Sequence, residues 1–134
     1  LSEAAFLIPE ALSVCRSLSK EATLVIVTNG ISRVQHKRLA LSPLAPYISH
    51  CFVSEEIGYS KPRIEFFTAV FHKLGIQNTQ GVLIVGDSLT SDIQGGINAG
   101  IATCWYCPSD RTATIPCDYQ IASLNQLLSI VNPK

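Results

Sequence analysis

The sequence predicts an α/β domain in which helices cover both faces of a mostly parallel sheet. Three observations carry this. "ATLVIV" (22–27) and "GVLIV" (81–85) are short, continuous apolar runs rich in Val and Ile, the pattern of parallel strands buried on both faces. Strand-like and helix-like patterns alternate along the chain with short links. Glycines and a proline fall where helices should stop or start.

In chain order, a helical pattern over 9–19 leads into the strand at 22–27, and a second helix spans 31–41. The proline-spaced stretch "SPLAPY" (42–47) reads as an irregular connection to a strand at 50–53, "HCFV". Pro62 suits the first turn of a helix over 63–74, because its missing N–H costs nothing there, and Gly75 stops that helix. The strand at 81–85 precedes a helix over 91–99, after which Gly100 leads at once into a strand at 101–106, "IATCWY". A weaker strand at 119–121 and a helix at 123–131 complete the pattern. No internal repeat, low-complexity tract or linker divides the chain.

At 134 residues the chain can bury a core of its own, and 47% of it is apolar against 15% charged. This balance predicts a soluble globular domain. Net charge is zero, so there is no basic surplus to neutralise a nucleic acid. The cluster "HKR" (36–38) lies in a helical pattern and reads as a solvated face. No apolar run approaches the ~18 residues needed to cross a membrane. Glu3, Glu10, Arg16 and Lys20 argue against a signal-peptide core in the first twenty residues. Five cysteines without framework spacing suit a reducing, cytoplasmic setting. The chain begins at Leu1 and contains no Met, which predicts that it is a piece of something longer.

Open α/β sheets bind ligands at the carboxyl ends of their strands, so the residues after each apolar run matter most. After "ATLVIV" stand Thr28, Asn29 and Gly30, a hydroxyl, an amide and a glycine that together suit an anion. The same three residues also suit an ordinary helix N-cap. After "HCFV" comes "SEEIGYSKP", with Lys61 just before Pro62. A lysine at a helix start faces the positive end of the dipole, so compensation is expected from Glu55, Glu56 or a bound anion, unless the lysine simply reaches water. After "GVLIV" comes "GDSLTSD". Asp92 falls in the first turn of a helix, where dipole complementarity alone would explain it. Asp87 has no such explanation. Two carboxylates at one rim repel unless a cation lies near, and hard oxygen ligands beside a phosphate grip suit Mg²⁺. Together these are the parts that stabilise charge in phosphoryl transfer.

In order and spacing, "TLVIVTNG", "SEEIGYSKP" and "VLIVGDSLTSDIQGGINAG" resemble motifs II, III and IV of the haloacid dehalogenase-like hydrolases. The wording around them, especially "INAGIATCW", is similar to the phosphatases that act as pyrimidine 5′-nucleotidases. The resemblance covers nearly the whole chain. It implies a three-layer Rossmann-like fold, with Thr28 binding a phosphoryl group, Lys61 neutralising phosphate and nucleophile, and Asp87 and Asp92 holding Mg²⁺. It implies Mg²⁺-dependent hydrolysis of a small phosphomonoester, such as a nucleoside 5′-monophosphate, through an aspartyl-phosphate.

The family's motif I, an Asp-x-Asp pair at the end of the first strand, has no counterpart here, since no Asp precedes Asp87. The cap domain between motifs I and II is missing too. Residues 1–134 therefore read as the C-terminal part of a core domain, expected to be inactive alone. Because the motif I strand lies between the motif II and motif IV strands in the family, its loss predicts two half-sheets. The gap should invite self-association, close by pairing of 22–27 with 81–86, or leave the fold poorly held. Two other readings stand: a catalytically silent binding module of this fold, and a redox or metal centre at "CWYC", Cys104 to Cys107.

Overall fold

The computed structural model describes residues 10–109 and 111–131. Its helices are α1 (Ala11–Leu18), α2 (Ser32–Ala40), α3 (Ser54–Ile57), α4 (Ile64–Leu74), α5 (Gln94–Ala99) and α6 (Leu127–Val131). Its strands are β1 (Val25–Thr28), β2 (His50–Val53), β3 (Leu83–Gly86), β4 (Ala102–Tyr106) and β5 (Tyr119–Ile121). Every strand and helix expected from the sequence is present, with ends displaced by at most three residues except in the last helix, whose expected start at 123 is followed by the 3-10 turn Leu124–Gln126 before α6 begins; Pro9 lies outside the described residues. Three short elements were not expected. They are the 3-10 turn Ala45–Tyr47, the helix α3, and a wide π turn, Leu89–Ile93, that opens into α5.

All three strand pairings are parallel, and they form two separate sheets, β2–β1 and β3–β4–β5. The fold is α/β and three-layered. On one face Phe66, Phe67 and Val70 of α4 pack with Val27 and Ile84. α5 lies on this same face, since a Cβ added to Gly96 would strike Ile84 and Thr103. On the other face, residues of α1 and α6 (Val14, Leu18 and Leu127 among them) pack with Val85, Cys104 and Ile121. Gly75 and Gly100 close α4 and α5 in the left-handed conformation, at φ 70° and 72°, which a glycine adopts without steric cost.

Pro62 does not sit in the first turn of α4. Arg63 caps that helix in extended conformation and Ile64 begins it, so Pro62 and Lys61 belong to the preceding loop, joined by a cis peptide bond.

No strand lies between β1 and β3 among the described residues, and the two do not pair with each other. Between them is a cavity of about 560 Å³ lined by apolar side chains from β1, β3, α4 and α6. One strand of four residues, ~13 Å long, ~4.8 Å wide and ~10 Å through its side chains, would occupy ~600 Å³. Of the three outcomes expected for a split sheet, closure by direct pairing of the two edges is thus not the one adopted.

An apolar slot of this size favours association with further chain. Light scattering of the purified 134-residue chain is expected to show species larger than a monomer as concentration rises. A particle that stays monomeric and fully folded at high concentration would argue that the slot is closed in solution.

Candidate active site

The carboxyl ends of β1 and β3 meet around Lys61. This side chain is buried, with the residue 7% exposed. Its ammonium donates to Asp92 Oδ1 at 2.6 Å and to the Val27 carbonyl at 3.0 Å. Two of its three N–H groups are therefore spent inside the protein, and one remains. Lys61 does not reach water, as one sequence reading allowed. Neither suggested glutamate compensates it. Glu55 accepts from the backbone N–H of Ser32 at 2.8 Å and so caps α2, while Glu56 lies 2.7 Å from His36. The cause is α3, a turn that directs both glutamates toward α2.

Asp92 is 1% exposed and sits in the π turn. There the Ser88 carbonyl accepts from both Asp92 N–H and Ile93 N–H, at 3.0 and 3.1 Å. The turn folds the Asp92 carboxylate back over the end of β3, where Oδ2 accepts from Ser88 N–H at 3.3 Å. Gly86 leaves the space for it, because a Cβ at that position would fall on the carboxylate. Asp87 differs: its side chain is exposed, and its carbonyl accepts from Trp105 Nε1 at 3.1 Å. The two aspartates thus divide into a buried member neutralised by Lys61 and an exposed one. Among the described residues, no three His, Cys, Asp or Glu side chains gather as a metal-binding group.

Thr28, Asn29 and Gly30 stand at the same rim, but their polar groups are used unequally. Thr28 Oγ1 is buried without a hydrogen-bond partner among the described residues. Asn29 spends its amide on Lys61, with Nδ2 donating to the Lys61 carbonyl at 3.0 Å and Oδ1 accepting from Lys61 N–H at 2.9 Å. Gly30 N–H donates to Ser54 Oγ at 2.9 Å. With Glu55 on the first turn of α2, that helix end already holds an anion of the protein's own. What stays available is the Thr28 hydroxyl and the third N–H of Lys61. Sequence reasoning missed Ser54, Ser88 and Trp105, although Ser54 directly follows an apolar run and the strand-end rule would have found it.

Cys104 and Cys107 do not form a centre. Side chains alternate along a strand, so residues three apart point to opposite faces. Cys104 packs with Val85, Ile121 and Leu127, whereas Cys107 packs with Ile93 and Trp105. Burial pushes the Cys104 thiol up to about 12, while bonds from Ser109 and Arg111 lower Cys107 to about 7. All five cysteines are free. Mild oxidation is expected to leave no Cys104–Cys107 bridge in a peptide map; a bridge forming in the folded chain would restore the redox reading.

Breaking a buried ion pair leaves a charge without its counterpart, at a cost of about 3–5 kcal/mol, whereas replacing both partners by apolar groups is far milder. In urea unfolding, Asp92→Asn is expected to lose stability of that order, and Lys61→Met/Asp92→Leu to recover most of it. Equal and additive losses would show that the pair does not hold the rim.

Comparison with known proteins identifies the family. A family model described as haloacid dehalogenase-like hydrolase matches residues 4–106. The chain is 42% identical over 135 residues to a Bacillus subtilis (strain 168) protein named as the HAD-hydrolase YfnB, covering 98% of this chain and 57% of that one. It is 37% identical over 122 residues to the pyrimidine 5′-nucleotidase YjjG of Escherichia coli (strain K12), covering 90% of this chain and 54% of that one. A crystal structure of B. subtilis YfnB bound to magnesium matches with a TM-score of 0.89 at 41% identity, over 93% of this chain and 56% of that one. The chain spans about half the length of the curated relatives it matches. With the family match running through all three strand-end motifs, the chain belongs to the haloacid dehalogenase-like hydrolases.

Proposed function

We propose that these residues are the C-terminal part of the core domain of a phosphomonoester hydrolase, carrying its phosphate grip and part of its metal site. The observation that carries this reading is Thr28 Oγ1, a buried hydroxyl without a partner among the described residues, one residue after the Val27 carbonyl that holds the buried Lys61 ammonium. Buried polar atoms are nearly always bonded, so an orphan at a strand end implies a ligand that bonds it. A phosphoryl oxygen suits it, because the hydroxyl can donate and the remaining N–H of Lys61 adds positive charge.

In this proposal Thr28 and Lys61 hold and neutralise the phosphoryl group. Asp87 and Asp92 would hold Mg²⁺, whose hard-cation preference their carboxylates fit. When bound, the metal would supply further charge neutralisation at the phosphoryl oxygens. Asp87 is free to coordinate, being exposed, while the bond from Lys61 fixes the Asp92 carboxylate in place. The attacking carboxylate would come from outside the chain. Of the other aspartates, Asp118 is bound to the backbone N–H and hydroxyl of Thr103, at 2.9 and 3.3 Å. Asp110 lies outside the described residues. The substrate class, a small phosphomonoester such as a nucleoside 5′-monophosphate, is supported by the name of the E. coli relative. A cytoplasmic setting is supported by the free thiols.

The chain alone is expected to show no turnover of nucleoside monophosphates or aryl phosphates above background, because among the described residues no carboxylate stands free at the phosphate grip as a nucleophile. Adding the N-terminal half of a relative-length protein, in cis or as a second chain, should give Mg²⁺-dependent hydrolysis that Asp87→Asn abolishes. Robust turnover by the 134-residue chain, indifferent to Asp87→Asn, would refute the assignment.

A further inference from the structure

We propose that Asn29 is a positioning residue for Lys61 and does not contact the phosphate. Its place in "TNG", between a candidate phosphate-binding hydroxyl and a glycine, suggests a ligand contact. Its side chain is committed elsewhere. The amide forms a closed pair of hydrogen bonds with the Lys61 backbone, 3.0 and 2.9 Å, across 32 residues of sequence. A carboxamide meets a peptide unit in this way only with one orientation, so both its oxygen and its nitrogen are assigned by the pair.

The consequence lies in what else holds Lys61. Its ammonium returns to the Val27 carbonyl, two residues before Asn29. The end of β1 therefore grips this one lysine at both ends, its backbone through Asn29 and its ammonium through the Val27 carbonyl. From the other half of the molecule, Asn98 of α5 donates to the Pro62 carbonyl at 2.9 Å and accepts from Gln94. The loop carrying Lys61 is thus fixed from both sides, and its one unspent N–H is held in place before any ligand arrives. A long, flexible lysine loses much side-chain entropy on being ordered. Here the protein bears that cost in folding, which leaves less to be lost on binding an anion.

This inference rests on the phosphate reading of the site, and the test separates the two. Inorganic phosphate is titrated into the 134-residue chain, with lysine side chains isotopically labelled for NMR. Asn29→Ala is expected to weaken phosphate binding about tenfold, as loss of supporting bonds around a functional group commonly does. In the Lys61→Met background the same change should alter affinity by less than about twofold, since its effect passes through Lys61. A further loss of about tenfold in that background would mean that Asn29 touches phosphate itself, and would overturn the proposal. Without phosphate, Asn29→Ala should displace the Lys61 side-chain signal while those of Lys20, Lys37 and Lys73 stay in place. Asn29→Asp, which keeps the acceptor and loses the donor, should displace it by an intermediate amount. An unmoved Lys61 signal overturns the proposal even if wild-type chain binds no phosphate, an outcome that by itself would count against the function proposed above.

Discussion

The ion pair between Lys61 and Asp92 is the constraint on which the rest of the site depends. Among the described residues the two sheets share no ladder, so their backbone hydrogen bonding does not relate one to the other. Below the rim, α4 joins them by packing on both Val27 and Ile84. At the rim the joint is electrostatic, running from the Val27 carbonyl through Lys61 to Asp92 at the exit of β3. Buried charges are costly unless matched, and that cost makes the geometry exacting. If either partner moves, both are stranded.

The same pair explains how two aspartates five residues apart come to differ. A regular helix starting after β3 would present Asp92 from an ordinary first turn. The π turn instead leaves two N–H groups on the Ser88 carbonyl and swings the carboxylate inward over Gly86. Wide turns of this kind are uncommon and tend to occur at functional sites. Asp87, one residue beyond the strand, stays in solvent. One carboxylate is thereby buried and fixed by Lys61, and the other is left accessible.

Much of this architecture was legible in the residues themselves. "ATLVIV" and "GVLIV" announced buried parallel strands because strands covered on both faces need no polar alternation. The strand-end rule brings Thr28, Lys61 and Asp92 to one rim from the sequence pattern alone. What stayed hidden was partnership. Glu55 and Glu56 stand closer to Lys61 in sequence than Asp92 does, yet the short helix α3 carries them to Ser32 and His36. Pro62 suggests a helix over 63–74, but Arg63 is extended and the helix begins at Ile64. The spacing "NG" likewise reveals nothing of the bonds from Asn29 to a residue 32 positions away. Contacts of that range are set by topology, which local pattern does not encode.

The division into a two-stranded and a three-stranded sheet also bears on how evenly the molecule resists local opening. Helix α4 backs both sheets, but one ladder holds the two-stranded sheet together and two hold the three-stranded one. Opening should therefore begin in β1 and β2, the pair that carries Thr28 and Asn29, while β3, β4 and β5 hold their ladder. The residues with hydroxyl and amide at the rim thus ride on the less durable half of the domain, and Asp87 and Asp92 on the more durable one. Fluctuations of the fold would release the anion side of the rim before they disturb its acidic side.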